Sequence, residues 1–138
     1  MAALLTDAWK MAALYVAVNA LLMLVLGMLV VRARLVTSTQ IGDGGHSLML
    51  RVIRAHGNNT ENVPLPLVMI LAVAALGGSV WLVHAIGTPL TLGRVLHAIG
   101  VTRSADATVA RFLGMSFSWV AFIAGIAALI WLVFGAST

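Results

Sequence analysis

A chain of 138 residues fits one domain, and its 62% hydrophobic and 9% charged composition, with mean hydropathy +1.08, belongs to the bilayer rather than to soluble proteins. The absence of cysteine excludes disulfides, iron–sulfur clusters and a protein thiol nucleophile, so any thiol chemistry must come from a ligand. The net charge of +4 does not mark a nucleic-acid partner: all seven arginines fall within residues 32–54 or 94–111, a positive-inside pattern with two cytoplasmic loops and both termini on the other side.

The first helix is predicted over residues 8–33. Its apolar run of residues 11–31, interrupted only by Asn19, is long enough for a hydrocarbon core of about 30 Å and too long for a signal-peptide core, so it reads as a retained span. Asn19 reads as an interhelical hydrogen-bond donor. Arg32 and Arg34 close the helix, where cations suit a helix C-terminus and lipid headgroups. The glycine-rich turn TSTQIGDGG follows, with Ser47 as the expected cap of the second helix.

The second helix poses a length problem. Its apolar part, residues 63–76, falls short of the about 20 residues that a span requires. The helix must therefore run from 47 to 77 and carry RVIRAHGNNTEN, residues 51–62, to membrane depth, with a kink at Pro64 and Pro66. At about 100° per residue, Arg51, Arg54, Asn58, Glu61 and Asn62 fall within an arc of roughly 100°, a stripe rather than a solvated ring. His56 and Asn59 point further round. Asn58 lies within bridging reach of Arg54 and Glu61, but those two are about 10 Å apart along the axis, so Glu61 needs a cation from elsewhere: Arg94, Arg32, Arg34 or a ligand ammonium. Guanidiniums at one end and a carboxylate at the other suit a zwitterionic small molecule with more than one carboxylate. The bland reading is that the stripe only locks helices together.

A third helix over residues 80–101 and a fourth over 107–134, capped by Asp106, complete an all-α, integral-membrane, four-helix up-down bundle. His97 shares a face with Arg94 and suits either a pocket or a core hydrogen bond. His84 suits packing or hydrogen bonding near the opposite interface, and Ala121 and Gly125 suit close packing of the fourth helix. No two of His46, His56, His84 and His97 have metal-ligand spacing on one helix face, so no metal site is expected.

RVIRAHGNNTENVPL resembles the signature of the MAPEG family, membrane-associated proteins of eicosanoid and glutathione metabolism, which carry R-x-x-R-A-x-x-N-x-x-E near the start of the second helix. GRVLHAIG, residues 93–100, resembles the family's third-helix pattern G-R-V-L-Y-A-Y-G, and GDGG at 42–45 resembles the small bacterial branch. The resemblance implies a homotrimer in a bacterial inner membrane, with glutathione as co-substrate at protomer interfaces near the cytoplasmic side. It implies a glutathione transferase or peroxidase-like detoxification enzyme that joins the glutathione thiolate to a lipophilic electrophile dissolved among membrane lipids.

Arg51, Arg54, His56, Asn58 and Glu61 match positions that bind glutathione in catalytic members; Asn62 and His97 are the further binding candidates. Arg34, Arg94 and Arg111 are the candidates for stabilising the thiolate. The chain departs from the pattern where active members place third-helix tyrosines, having His97, Ile99 and Val101 there. Thr108 falls near the register of a further thiolate-stabilising arginine. These departures leave a second expectation, a non-catalytic lipid-binding or scaffold protein of the same fold.

Overall fold

A computed structural model describes residues 7–135. It is all-helical: α1 (Asp7–Thr37), α2 (Ser47–Asn62), α3 (Pro64–Ala75), α4 (Val80–Arg103) and α5 (Val109–Ile130), with a terminal π-helical turn, Trp131–Gly135. Short connections make these four antiparallel rods, because α2 and α3 form one helix bent at Val63. Val63 keeps right-handed helical angles and donates to Asn59 O, while Leu67 N donates to Val63 O. Pro64 and Pro66 cannot donate to Thr60 and Asn62, so the ladder is interrupted without the rod ending. The extreme ends, residues 1–6 and 136–138, whose side of the membrane the arginine pattern predicts, lie outside the described residues.

Two caps differ from expectation. His46, not Ser47, occupies the cap position of α2, and it makes no side-chain cap bond. At α5 the cap is Thr108 rather than Asp106: Thr108 Oγ1 accepts from Arg111 N at 3.2 Å. Asp106 instead presents its carbonyl to the Arg111 guanidinium.

α1 and the α5 rod are long and apolar enough to cross a membrane by themselves. α4 is the central element. It packs most extensively against α5, and glycine sets how closely the two approach. A Cβ on Gly114 would lie 2.5 Å from His97 N and 2.7 Å from Gly93 O; one on Gly93 would lie 2.8 Å from Gly114 O. Small residues at 114, 118, 121, 125 and 128 of α5 are all buried, at helical spacing that turns one narrow face to its neighbours. Around α4, Val83, Ile86 and Leu90 are fully buried against Ile70 and Val73 of α3 and Ala12 of α1.

α1 is the least buried rod of the chain and is attached to α4 by polar pairs. Gly87 leaves room for the Tyr15 ring, whose hydroxyl hydrogen-bonds His84 Nδ1 (2.8 Å) and Thr88 Oγ1 (2.7 Å). One turn on, Asn19 Nδ2 donates to Thr91 Oγ1 at 2.9 Å. In hydrocarbon there is no water to compete for these groups, so each pair favours the docked helix.

Gly114→Ala is expected to lower stability by about 1–3 kcal/mol, since backbone rather than a flexible side chain meets the new methyl. Thermal unfolding in detergent, followed by circular dichroism, checks this. By the same assay Tyr15→Phe is expected to cost about 1 kcal/mol, within the range measured for interhelical hydrogen bonds in membranes.

Candidate functional site

The α2 stripe divides into an inward and an outward part. Asn58 faces inward: its Oδ1 accepts a 2.7 Å bond from Arg94 Nη2 of α4. Arg94 is 1% exposed and is the largest fully buried side chain in the core. Its Nη1 reaches Ser118 Oγ of α5 at 3.4 Å and Met115 Sδ at 4.0 Å. Nε has no partner among the described residues, and no carboxylate accepts from this guanidinium. A buried cation held only by neutral groups is costly, so its position marks a place where negative charge from elsewhere is favoured.

Ser118 holds its place through the helix itself, donating from Oγ to Gly114 O at 2.9 Å. The sequence reading omitted Ser118 and Met115. The legible signal for Ser118 was its position in the small-residue stripe of α5, a polar atom on a face otherwise built for close approach.

Arg54 and Glu61 lie at the outer edge of the same arc. Both are exposed on the surface of the chain, and neither is engaged by another side chain among the described residues. Among the described residues the ion pairs consist of Lys10–Asp7 alone, so Glu61 receives none of Arg94, Arg32 or Arg34. Nor does Asn58 bridge Arg54 and Glu61; its acceptor is taken by Arg94, and its backbone carbonyl accepts from Asn62 Nδ2 at 2.9 Å.

Arg51 is half-buried and ties the start of α2 to the end of α4: Nε donates to Thr102 O at 3.2 Å and Nη1 to Ser47 Oγ at 3.5 Å. His56 lies off the stripe, its ring set against Gly27 of α1. His97 is buried beside Gly114 of α5, with Nδ1 unpartnered among the described residues.

The other two candidates for stabilising the thiolate, Arg34 and Arg111, serve loops. Arg34 Nη1 donates to the carbonyls of Thr39 (3.3 Å), Gln40 (3.0 Å) and Gly42 (3.4 Å), gathering the α1–α2 turn around one guanidinium. Gly42, Gly44 and Gly45 all have positive φ there, which lets the chain wrap this tightly. Arg111 Nη1 likewise donates to Ala105 O (3.1 Å) and Asp106 O (2.9 Å), with its stem against Gly100. Of the three arginines, only Arg94 is bonded to the stripe.

A family model described as the MAPEG family matches residues 12–131. The inner membrane protein YecN of Escherichia coli K12 is 35% identical over 119 residues, which cover 86% of this chain and 89% of its own. The protein of the same name from the O6:H1 strain CFT073 matches to the same extent. No solved structure matches the chain significantly.

Asn58→Ala removes the best partner of a buried cation and is expected to lower stability by about 1.5–3 kcal/mol. Asn58→Asp, which keeps an acceptor at the same place, is expected to cost less. Melting temperatures of the two variants in the same detergent separate the outcomes; equal losses would show that the Arg94 bond is not what Asn58 contributes.

Proposed function

The chain belongs to the MAPEG family and is an integral membrane protein, and from that footing we propose that it binds glutathione at the α2 stripe in a bacterial inner membrane and transfers its thiolate to lipophilic electrophiles. The observation that carries the reading is the outward, unpaired Arg54 and Glu61 at membrane depth. Charged side chains in that position must meet a ligand, a second protein surface or water, because lipid offers them nothing. They stand seven residues apart, about 10 Å along the axis, close to the reach of about 10–11 Å of an extended tripeptide. Arg54 would take a carboxylate of glutathione, and Glu61 its α-ammonium. A second copy of the chain, in the homotrimer proposed here, would cover the remaining side. The positive-inside arrangement of the arginines supports a site near the cytoplasmic face, with both termini opposite.

In the transfer, the glutathione thiol would release its proton to solvent. The thiolate sulfur would then form a bond to an electrophilic carbon, and the electron pair displaced there would leave with the departing group or be protonated. A cation near the sulfur favours the thiolate without itself exchanging a proton. Arg94, already beneath the stripe through Asn58, is the strongest candidate for that field; Arg34 and Arg111 would first have to leave the loop carbonyls that hold them.

Two observations favour a second reading, a non-catalytic lipid-binding or scaffold protein. His97, Ile99 and Val101 stand where tyrosines are expected, and two of three candidate arginines are engaged in turns.

Arg54→Ala and Glu61→Gln are each expected to weaken glutathione binding at least about tenfold, the loss of one charge-assisted bond, while leaving the oligomer intact. Calorimetry and light scattering on the solubilised protein measure both. Loss of assembly with unchanged binding per folded chain would favour the scaffold. A thiolate absorbance signal on mixing with saturating glutathione is expected for the transferase and absent for a protein that only binds.

A further inference from the structure

The end of the bundle opposite the arginines carries a polar cluster that the fold uses only in part. The Tyr15 hydroxyl bonds both His84 Nδ1 and Thr88 Oγ1, and this fastens α1 to α4. The other ring nitrogen of His84 is left over: Nε2 has no partner among the described residues and is not a buried atom, so it is open to the surroundings. Thr88 is exposed, and its hydroxyl does not turn back onto the carbonyl one turn earlier, as those of Thr37, Thr60 and Thr102 do. Ala85, also exposed, has lost the ladder donor of its carbonyl, because Pro89 has no N–H. Trp81, 77% exposed, stands one turn before Ala85 with its ring 6.1 Å from that of His84.

Together these groups edge a dip in the outer surface of α4. Ala85 is its floor, one turn after Trp81 and one turn before Thr88, and it puts only a methyl between an indole and a hydroxyl. Trp81 is the second residue of α4, where an indole marks the headgroup level, and Thr88 lies about 10 Å deeper along the axis. Asp7 and Lys10, the charged residues of α1 at this end, pair with each other and leave the dip neutral. Its polarity has a definite sense. Tyr15 has one proton for two partners: given to Thr88, it makes Nδ1 the donor and leaves Nε2 a bare acceptor; given to Nδ1, it leaves Nε2–H a donor. Ala85 O is an acceptor in both arrangements. A hydroxyl, which donates and accepts, suits either; the ester carbonyl of a phospholipid, which only accepts, cannot serve Ala85 O at all. The exposed indole adds a flat apolar wall suited to an aromatic ring.

We propose that this dip binds the head of a lipophilic phenol dissolved in the bilayer, its hydroxyl on His84 Nε2 and its ring against Trp81. Quinols belong to the same chemical class. The site shares no residue with the glutathione reading and does not depend on it. Tyr15 and Thr88 act as positioning residues, since they fix the imidazole and decide which way its free nitrogen bonds.

Fluorine NMR of the full chain, labelled with fluorotryptophan and held in phosphatidylcholine nanodiscs, tests this. Trp81→Phe assigns the Trp81 resonance among the four tryptophans. Para-octylphenol is expected to shift that resonance saturably. Its methyl ether, para-octylanisole, cannot donate and should need about three- to tenfold more for the same shift, the loss of one hydrogen bond. Para-octylcyclohexanol, which keeps the hydroxyl but has no aromatic ring, should also bind more weakly than the phenol. His84→Phe should reduce the phenol to the level of the ether, and His84→Gln should keep part of the difference. The comparison of phenol and ether on the unaltered chain decides the matter should His84→Phe not fold. Equal shifts by phenol and ether, a shift that never saturates, or a difference that survives His84→Phe would overturn the proposal. So would efficient disulfide capture of a second copy by Ala85→Cys in this cysteine-free chain, which would make another protomer the occupant.

Discussion

The bond between Arg94 and Asn58 is the constraint around which the bundle is arranged. A guanidinium inside a membrane protein must be placed where polar atoms converge, and here they come from α2 and α5 as well as α4. That requirement brings three rods together at one level. It also explains why glycine and serine occupy the facing surface of α5: Ser118 can reach Arg94 only if the backbones of α4 and α5 approach closely, and Gly93 and Gly114 permit this.

By taking Asn58 inward, the same bond orients α2. Residues on the arc beside Asn58 are then turned to the surface of the chain, and the outward exposure of Arg54 and Glu61 follows from the rotation that satisfies Arg94. One polar stripe thus does two things. Its inner residue holds the fold, and its outer residues remain open to a partner of complementary charge. The bend at Val63 lets an apolar α3 continue the rod into the hydrophobic core, where Ile70 and Val73 pack against α4.

The arginines, alike in a sequence count, have divided into distinct tasks. Arg94 is a core residue, Arg51 a tie between two helices, and Arg34 and Arg111 are centres around which turns are wound. A guanidinium has several donors in a fixed plane, so it can collect carbonyls that no helix satisfies. The positive-inside distribution and the turn geometry are therefore served by the same side chains. At the opposite end, where arginine is absent, Tyr15, His84 and Thr88 attach α1 by neutral hydrogen bonds instead.

Periodicity and apolar length were enough to read four helical rods, the backward extension of the second one and the polar stripe on its face, because these depend on local spacing and on the length of each apolar run. Asn19 was legible as an interhelical donor for the same reason: an amide alone in an apolar helix must find a partner. The rotation of α2 was not legible. Asn58 had equally good local neighbours in Arg54 and Glu61, and only the approach of α4 decided that its oxygen belongs to Arg94. Nor could the sequence distinguish a turn-forming arginine from a site arginine, since Arg34 and Arg111 are committed by carbonyls whose direction depends on loop conformation. Local spacing determines which residues share a face; what that face meets is decided by the packing of whole helices, a long-range property that no single segment contains.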